Sequence, residues 1–229
     1  MSVTEQAESV VLIGSGPSLN RIDVRALAPF HTIAFNRSWL AWPSWTFTPT
    51  YHACLDPLSM AIIGRELPPV VRSNPATRFF LHGDAARYGV GGTDRVSLSE
   101  LAPGDTFASS LPQLTDFGNV GAISLQVLAL LGYRKVLMVG VDGSYGADPE
   151  AARDPNHFRD DYARGRKPLT DADRVRYTAG WPLAAAECQR LGIDVRNASP
   201  GSALSCFPAV GLADGLAWLA AGSVACASL

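Results

Sequence analysis

The stretch Val10-Val-Leu-Ile-Gly-Ser-Gly-Pro-Ser-Leu19 constrains the fold more than any other. Residues 10–13 form an uninterrupted apolar run, mostly β-branched, and Gly14, Ser15, Gly16, Pro17 and Ser18 come directly after it. The apolar run reads as a buried strand, and residues 14–18 as a turn with unusual backbone freedom. At the carboxyl end of a parallel strand such a turn exposes backbone N–H groups, and the next helix aims its positive N-terminus at the same place. This predicts a phosphate as occupant; a tight strand-to-helix connection is the alternative. Pro17, Ser18 and Leu19 break the G-x-G-x-x-G fingerprint, and the Gly-Lys-Ser/Thr of a Walker A loop is missing.

The rest of the chain repeats the alternation. Strands are predicted at residues 10–13, 32–35, 51–55, 78–81, 136–141 and 193–195. Helices are predicted at 23–27, 58–66, 121–131, 174–191 and 210–220. The helix at 121–131 is apolar almost all round, so it is expected to be buried, with Gly132 as its stop. Val136-Leu-Met-Val-Gly-Val141 reads as a strand covered on both faces. The pattern predicts an α/β fold with a doubly wound, mainly parallel, Rossmann-like sheet, in one domain over residues 1–229. In such a sheet the ligand lies outside the carboxyl ends of the strands. Asn36, Asp56 and Asp142 each fall just past such an end. Residues 147–177, dense in charge and turn formers, read as a mobile lid inserted in this domain, within which Asp154-Pro-Asn-His-Phe158 is a compact set of groups able to carry chemistry. Residues 41–50, with Trp42, Trp45 and Phe47, read as an aromatic loop, either a cover over the sheet or a stacking surface.

Composition narrows the partners. The 229 residues are 47% hydrophobic and 17% charged, with a net charge of −2, which gives no basis for a nucleic-acid or membrane-surface partner. The 4 cysteines form no C-x-x-C pair, so neither a zinc site nor a disulfide framework is expected. No transmembrane segment and no basic-apolar leader is read, and a cytoplasmic setting is the expectation.

Taken in order, Gly14-Ser-Gly-Pro-Ser-Leu-Asn-Arg-Ile-Asp23, Phe35-Asn36, Asp56-Pro57, Asn119-Val-Gly121, Leu131-Gly-Tyr133, Gly140-Val-Asp142 and Asn197-Ala-Ser-Pro-Gly-Ser202 resemble the bacterial sialyltransferases of glycosyltransferase family 42. They also resemble the related 6-hydroxymethylpterin pyrophosphokinase-like proteins. The resemblance implies a variant GT-A fold with a cytidine nucleotide over the first turn, where Ser15 replaces the family's asparagine. It implies that Asn36 matches the family's asparagine after the second strand. Asp56 replaces the asparagine of an Asn-Pro pair, Asn119-Val120 a Thr-Ser pair, and Tyr145 matches a phosphate-contacting tyrosine, one place further along. His157-Phe158 is similar to the lid's His-Tyr, while Asp161 stands where the family has its general-base histidine.

The resemblance leaves two chemistries open. In the first, a sugar moves from a nucleotide-activated donor, CMP-linked in the family, to the hydroxyl of a small molecule or glycan. His157 or Asp161 is then the base, and no metal is required; an imidazole titrating near neutrality suits the role. Gly14, Ser15, Gly16, Pro17, Ser18, Asn36, Asp56, Asn119, Asp142 and Tyr145 then bind the nucleotide. In the second, a pyrophosphokinase acts on a hydroxymethylpterin-like substrate with ATP and Mg²⁺, held jointly by Asp56 and Asp142. Carboxylates at strand ends also cap helices, which is their plainer use. Asp171-Ala-Asp173 is read as a helix-capping pair rather than a metal-binding D-x-D. Arg153, Arg159, Arg164 and Arg166 are candidate phosphate clamps or an ordinary charged face. The apolar C-terminal helix is a candidate homo-oligomer surface.

Overall fold

A computed structural model describes residues 8–146 and 154–221. The expected first strand is β1 (Ser9–Ile13), buried throughout. Next come β2 (Thr32–Phe35), β3 (Tyr51–Cys54), β4 (Arg78–His82), β5 (Val96–Ala102), β6 (Gln113–Thr115), β7 (Lys135–Val139) and β8 (Asp194–Asn197). They form one eight-stranded sheet in the order β6-β5-β4-β3-β2-β1-β7-β8, parallel at every pairing. The chain therefore winds outward from β1 to β6, returns, and continues on the other side of β1.

Alternate side chains of the same strands feed two cores. Val10, Leu12, Ile33, Phe35, Phe80, Val136 and Met138 pack on one face. There they meet α4 (Val120–Leu130) and α5 (Asp171–Arg190) through Ile123, Val127, Trp181 and Ala184. Val11, Ile13, Ala34, Phe79, Leu81, Leu137 and Val139 pack on the other. Covering that face are α1 (Trp42–Trp45), α2 (Pro57–Ile63), α3 (Leu67–Ser73) and α6 (Leu212–Ala220). This is why the inner strands read as continuous apolar runs: neither face has a wet side.

Several boundaries differ from the sequence expectations. The helix expected at 23–27 is a 3₁₀ turn at Val24–Leu27, capped by Asp23. The aromatic loop contains α1, which buries Trp42 and Trp45 against the sheet. The strands β5 and β6 are additional to those expected. So is α3, whose Pro68 and Pro69 sit in the first turn, where the missing N–H groups have no intrahelical partner to lose. Asp171 and Asp173 lie in the first turn of α5 as an acidic pair, and Thr170, not singled out in the sequence, is the N-cap that forms a capping box with Asp173. No helix among the described residues is long and apolar enough to cross a membrane.

Of the expected lid, residues 154–170 run across the carboxyl edge of the sheet and residues 171–177 are instead the first turns of α5; Arg153 and the rest of 147–153 lie outside the described residues. The segment is tied down at several points. Phe158 N–H donates to Ser15 O at 2.8 Å, and Asn20 Nδ2 donates to Phe158 O at 2.9 Å. Phe158 and Tyr162 are buried in the second core. Beneath them the buried Arg37 donates to the carbonyls of Tyr162 (2.8 Å) and Arg164, while Glu66 accepts two of its N–H groups at 3.1 and 2.6 Å. A buried guanidinium needs this full set of acceptors to offset its desolvation. Arg37→Met leaves two carbonyls and a carboxylate without their donors, and should destabilise the protein by about 3 kcal/mol. Urea unfolding should show a lower midpoint at unchanged slope; a loss under about 1 kcal/mol would mean that Arg37 is not the anchor.

Candidate functional site

Strand order reverses at β1, so the carboxyl ends of β1 and β7 diverge into loops that leave a crevice between them. A cavity of about 400 Å³ opens there. Its floor is the turns after β1, β2, β3 and β7, one wall is the N-terminus of α4 with Tyr177 and Trp181 of α5, and the cover is residues 154–157 and 163–169.

The turns after β1 and β7 are locked together. Gly14 N–H donates to Val139 O at 2.7 Å and Gly16 N–H to Gly140 O at 2.8 Å. A Cβ on Gly14 would overlap the Gly140 carbonyl, and one on Gly16 would meet the Asp142 carboxylate at 2.6 Å, so close approach explains both glycines. Asp142 accepts from Ser18 N at 2.9 Å and from the Ser18 hydroxyl. The N–H groups of Gly14, Gly16 and Ser18, expected to face a phosphate, are thus engaged inside the protein. Gly14, Ser15 and Gly16 line the cavity, whereas Pro17 and Ser18 are outside its lining. The Asn197–Ser202 motif braces Asp142 from behind. Ser199 Oγ accepts from Val141 N at 2.8 Å, Ser202 Oγ donates to Val141 O at 2.8 Å, and Ala203 N–H donates to Asp142 O at 2.7 Å.

Asn36 comes after β2 in a left-handed conformation, with φ of 51°. It is buried, lines the cavity, and its Oδ1 has no hydrogen-bond partner among the described residues. Asparagine adopts this backbone conformation readily, and the amide oxygen at the cavity wall is available to a ligand donor. The Asn36 backbone carbonyl is fixed by His52 Nε2 at 2.7 Å. Burial pushes the His52 pKa down to about 4, so the ring is neutral and Nε2 donates. Asp56 also lines the cavity, but both its oxygens cap α2: Oδ1 accepts from Leu58 N at 3.1 Å, and Oδ2 from Ser59 N at 3.1 Å and Ser59 Oγ at 2.9 Å. Asn119 caps α4 through Ala122 N at 2.8 Å and donates to Tyr177 O at 2.8 Å. Tyr145 lies against Tyr177, ring centroids 5.5 Å apart, with its pKa raised by burial.

In the cover, His157 Nδ1 lies 2.7 Å from Asp154 Oδ2. The ring stacks on Tyr162, centroids 4.3 Å apart and planes at 19°. Asp154 and His157 both line the cavity and are mostly buried. Burial pulls the Asp154 carboxyl upward, but the His157 hydrogen bond and the nearby Asn156 N–H and Arg166 outweigh it, leaving the pKa below its usual value. An ionised Asp154 accepts the hydrogen bond of Nδ1–H, which holds the ring in one tautomer with its Nε2 lone pair unengaged among the described residues. Asp161 is not part of this group. It is half exposed, pairs with Arg159 at 2.9 Å, and does not line the cavity. Of the described candidate phosphate clamps, Arg159, Arg164 and Arg166, Arg166 alone lines the cavity. The sequence singles out His157 with Asp154 in one compact cluster; the stacking role of Tyr162 has no sequence signal, because it depends on how the cover folds back.

No family model matches the sequence, and no curated protein matches it. Solved structures do. The MAf glycosyltransferase from Magnetospirillum magneticum AMB-1 superposes with a TM-score of 0.56 at 14% identity over 96% of this chain. The chain spans 38% of that protein's length. The sialyltransferase CstII from Campylobacter jejuni, in complex with the substrate analogue CMP-3FNeuAc, gives 0.51 at 10% identity, covering 89% of this chain and 86% of that one. With cytidine-5'-monophosphate it gives 0.54 at 14%, covering 93% and 88%. At these identities the likeness is one of fold.

The pH response of stability is set in part by His52. Its folded pKa lies below the ordinary 6.5, so between pH 6.5 and about 4 the unfolded chain binds a proton that the folded one refuses. Stability is whole above 6.5 and falls as pH drops through that window, by on the order of 3 kcal/mol from this group. Denaturant titrations at stepped pH should show the fall, and His52→Leu should flatten it; an equally steep fall in the variant would overturn the assignment.

Proposed function

We propose that the protein is a glycosyltransferase. It moves a sugar from a nucleotide-activated donor, CMP-linked, to the hydroxyl of a small molecule or glycan, with His157 as general base. The observation that carries this is the His157–Asp154 pair facing a cavity at the switch point of a parallel sheet. Support for the donor class comes from the fold shared with CstII and from its complexes with cytidine ligands. The acceptor oxygen forms a bond to the anomeric carbon as the bond from that carbon to the phosphate oxygen breaks. The acceptor proton passes to Nε2 of His157, and the electron pair of the broken bond leaves on the nucleotide. Asp154 holds the ring in the receptive tautomer and stabilises the imidazolium that forms.

Asp161 is not chosen as the base, because Arg159 holds it at the surface away from the cavity. The pyrophosphokinase alternative rests on Asp56 and Asp142 sharing Mg²⁺. Both carboxylates accept hydrogen bonds on both oxygens from nearby loops, so no observation favours that reading. The proposed transfer calls for no metal.

The test is release of nucleotide from CMP-, UDP- and GDP-linked sugars, with and without glycan acceptors. CMP-sugars should be turned over, and His157→Ala should lower the rate by about 10²–10⁴-fold at unchanged thermal stability. Asp154→Asn should lower kcat with little effect on KM, since it disturbs the base rather than donor binding. Absence of turnover with every CMP-sugar, or a fully active His157→Ala, would overturn the proposal.

A further inference from the structure

The charged side chains that line the cavity are unequally engaged. Of its carboxylates, Asp56 is taken by the cap of α2, Asp142 by Ser18, and Asp154 by His157. Of its cations, Lys167 is exposed and Arg174 is taken by Asp171 and the Leu169 carbonyl. Arg166 differs. Among the described residues it makes no ion pair, and its one side-chain hydrogen bond runs from Nη2 to Ser59 Oγ at 2.7 Å. The same Ser59 hydroxyl donates to Asp56 at 2.9 Å, so the guanidinium is braced by a residue that is itself fixed at a helix start. Across the cavity, the N–H groups of Val120 and Gly121 at the start of the 11-residue α4 have no partner among the described residues. The buried Asn36 Oδ1, an acceptor without a partner there, lines the same space and suits a hydroxyl or amino group of the ligand, not its anion. The glycine turn, by contrast, has three of its N–H groups already engaged.

We propose that Arg166, positioned by Ser59, binds the anionic group of the donor, so that the charge is held from the cover and not by the glycine turn. This rests on the nucleotide-sugar reading of the cavity. A guanidinium with unengaged N–H groups recognises a planar or tetrahedral oxyanion by paired, charge-assisted hydrogen bonds. The anion is either the phosphate of the nucleotide or a carboxylate on the sugar. Because Arg166 and His157 belong to the same tied-down segment, binding the anion and placing the base become one structural event.

The experiment is calorimetric binding of cytidine, CMP, CMP-3FNeuAc and inorganic pyrophosphate to the wild type, Arg166→Gln, Arg166→Lys and Ser59→Ala, each checked for an unchanged melting temperature. Arg166→Gln should weaken CMP by at least about tenfold while leaving cytidine unchanged. Arg166→Lys should recover part of the loss, and Ser59→Ala should weaken CMP in the same direction. If CMP is unaffected but CMP-3FNeuAc weakens about tenfold, Arg166 binds the sugar carboxylate, and the proposal stands with that source. Equal weakening of cytidine and CMP, or no change with any ligand, overturns it. Should the wild type bind neither cytidine nor CMP, the nucleotide reading fails by itself. Pyrophosphate then decides on Arg166: binding abolished in Arg166→Gln keeps the anion site, and binding equal in both proteins removes it.

Discussion

The contact between the turns after β1 and β7 is the constraint from which the site is built. Two adjacent parallel strands lead into different crossovers, and their ends would ordinarily splay apart. Here Gly14 and Gly16 bring one backbone against the carbonyl of Gly140, and Asp142 bridges to Ser18 across 124 residues of sequence. The Asn197–Ser202 segment holds the second turn from behind. The crevice beyond this junction is therefore rigid at its floor. Whatever adapts to a ligand has to come from the cover and from α5.

That rigidity changes what the glycine turn is for. In a dinucleotide fold, glycines let the backbone approach a phosphate, and the N–H groups face outward. Here the same residue type lets backbone approach backbone, and the N–H groups face inward. The turn also presents the Ser15 carbonyl, which accepts the N–H of Phe158. One hydrogen bond thereby connects the cavity floor to the residue next to His157, and Asn20 repeats the connection on the Phe158 carbonyl.

The legibility of the sequence tracks how locally each feature is determined. Strands β1 and β7 are readable because both alternations of side chain are apolar, which only a doubly covered sheet requires. In β5, Val96-Ser-Leu-Ser-Glu-Leu-Ala102 carries only a partial alternation, too weak to mark a strand by itself. The three residues of β6 are a strand only because β5 lies beside them, as the pairing of Leu101 with Leu114 shows. The acidic first turn of α5 is legible, since Asp171 and Asp173 directly precede its periodic residues. The engagement of Asp142 is not, because its partner Ser18 is remote and a carboxylate at a strand end fits several uses equally. Asp154 and His157 stand out as a cluster, and their three-residue spacing lets a single turn bring them together. Asp161, one short step further on, is as polar and as near in sequence, and only the fold-back of Tyr162 into the core decides that it points elsewhere.

Tyr162 is what the cover places under His157, the base of the proposed transfer. Its ring is fully buried, its hydroxyl donates to Phe35 O at 3.3 Å, and burial pushes its pKa up to about 12. It is an uncharged, immobile plate under His157. Asp154 fixes the imidazole within its plane, and Tyr162 fixes the tilt of that plane. Arg37 holds the Tyr162 carbonyl, so its pair with the partly exposed Glu66 supports the residue on which the His157 ring stacks. Glu66, which completes that pair, is thus linked to the His157 ring through two hydrogen-bonded steps and one stacking contact.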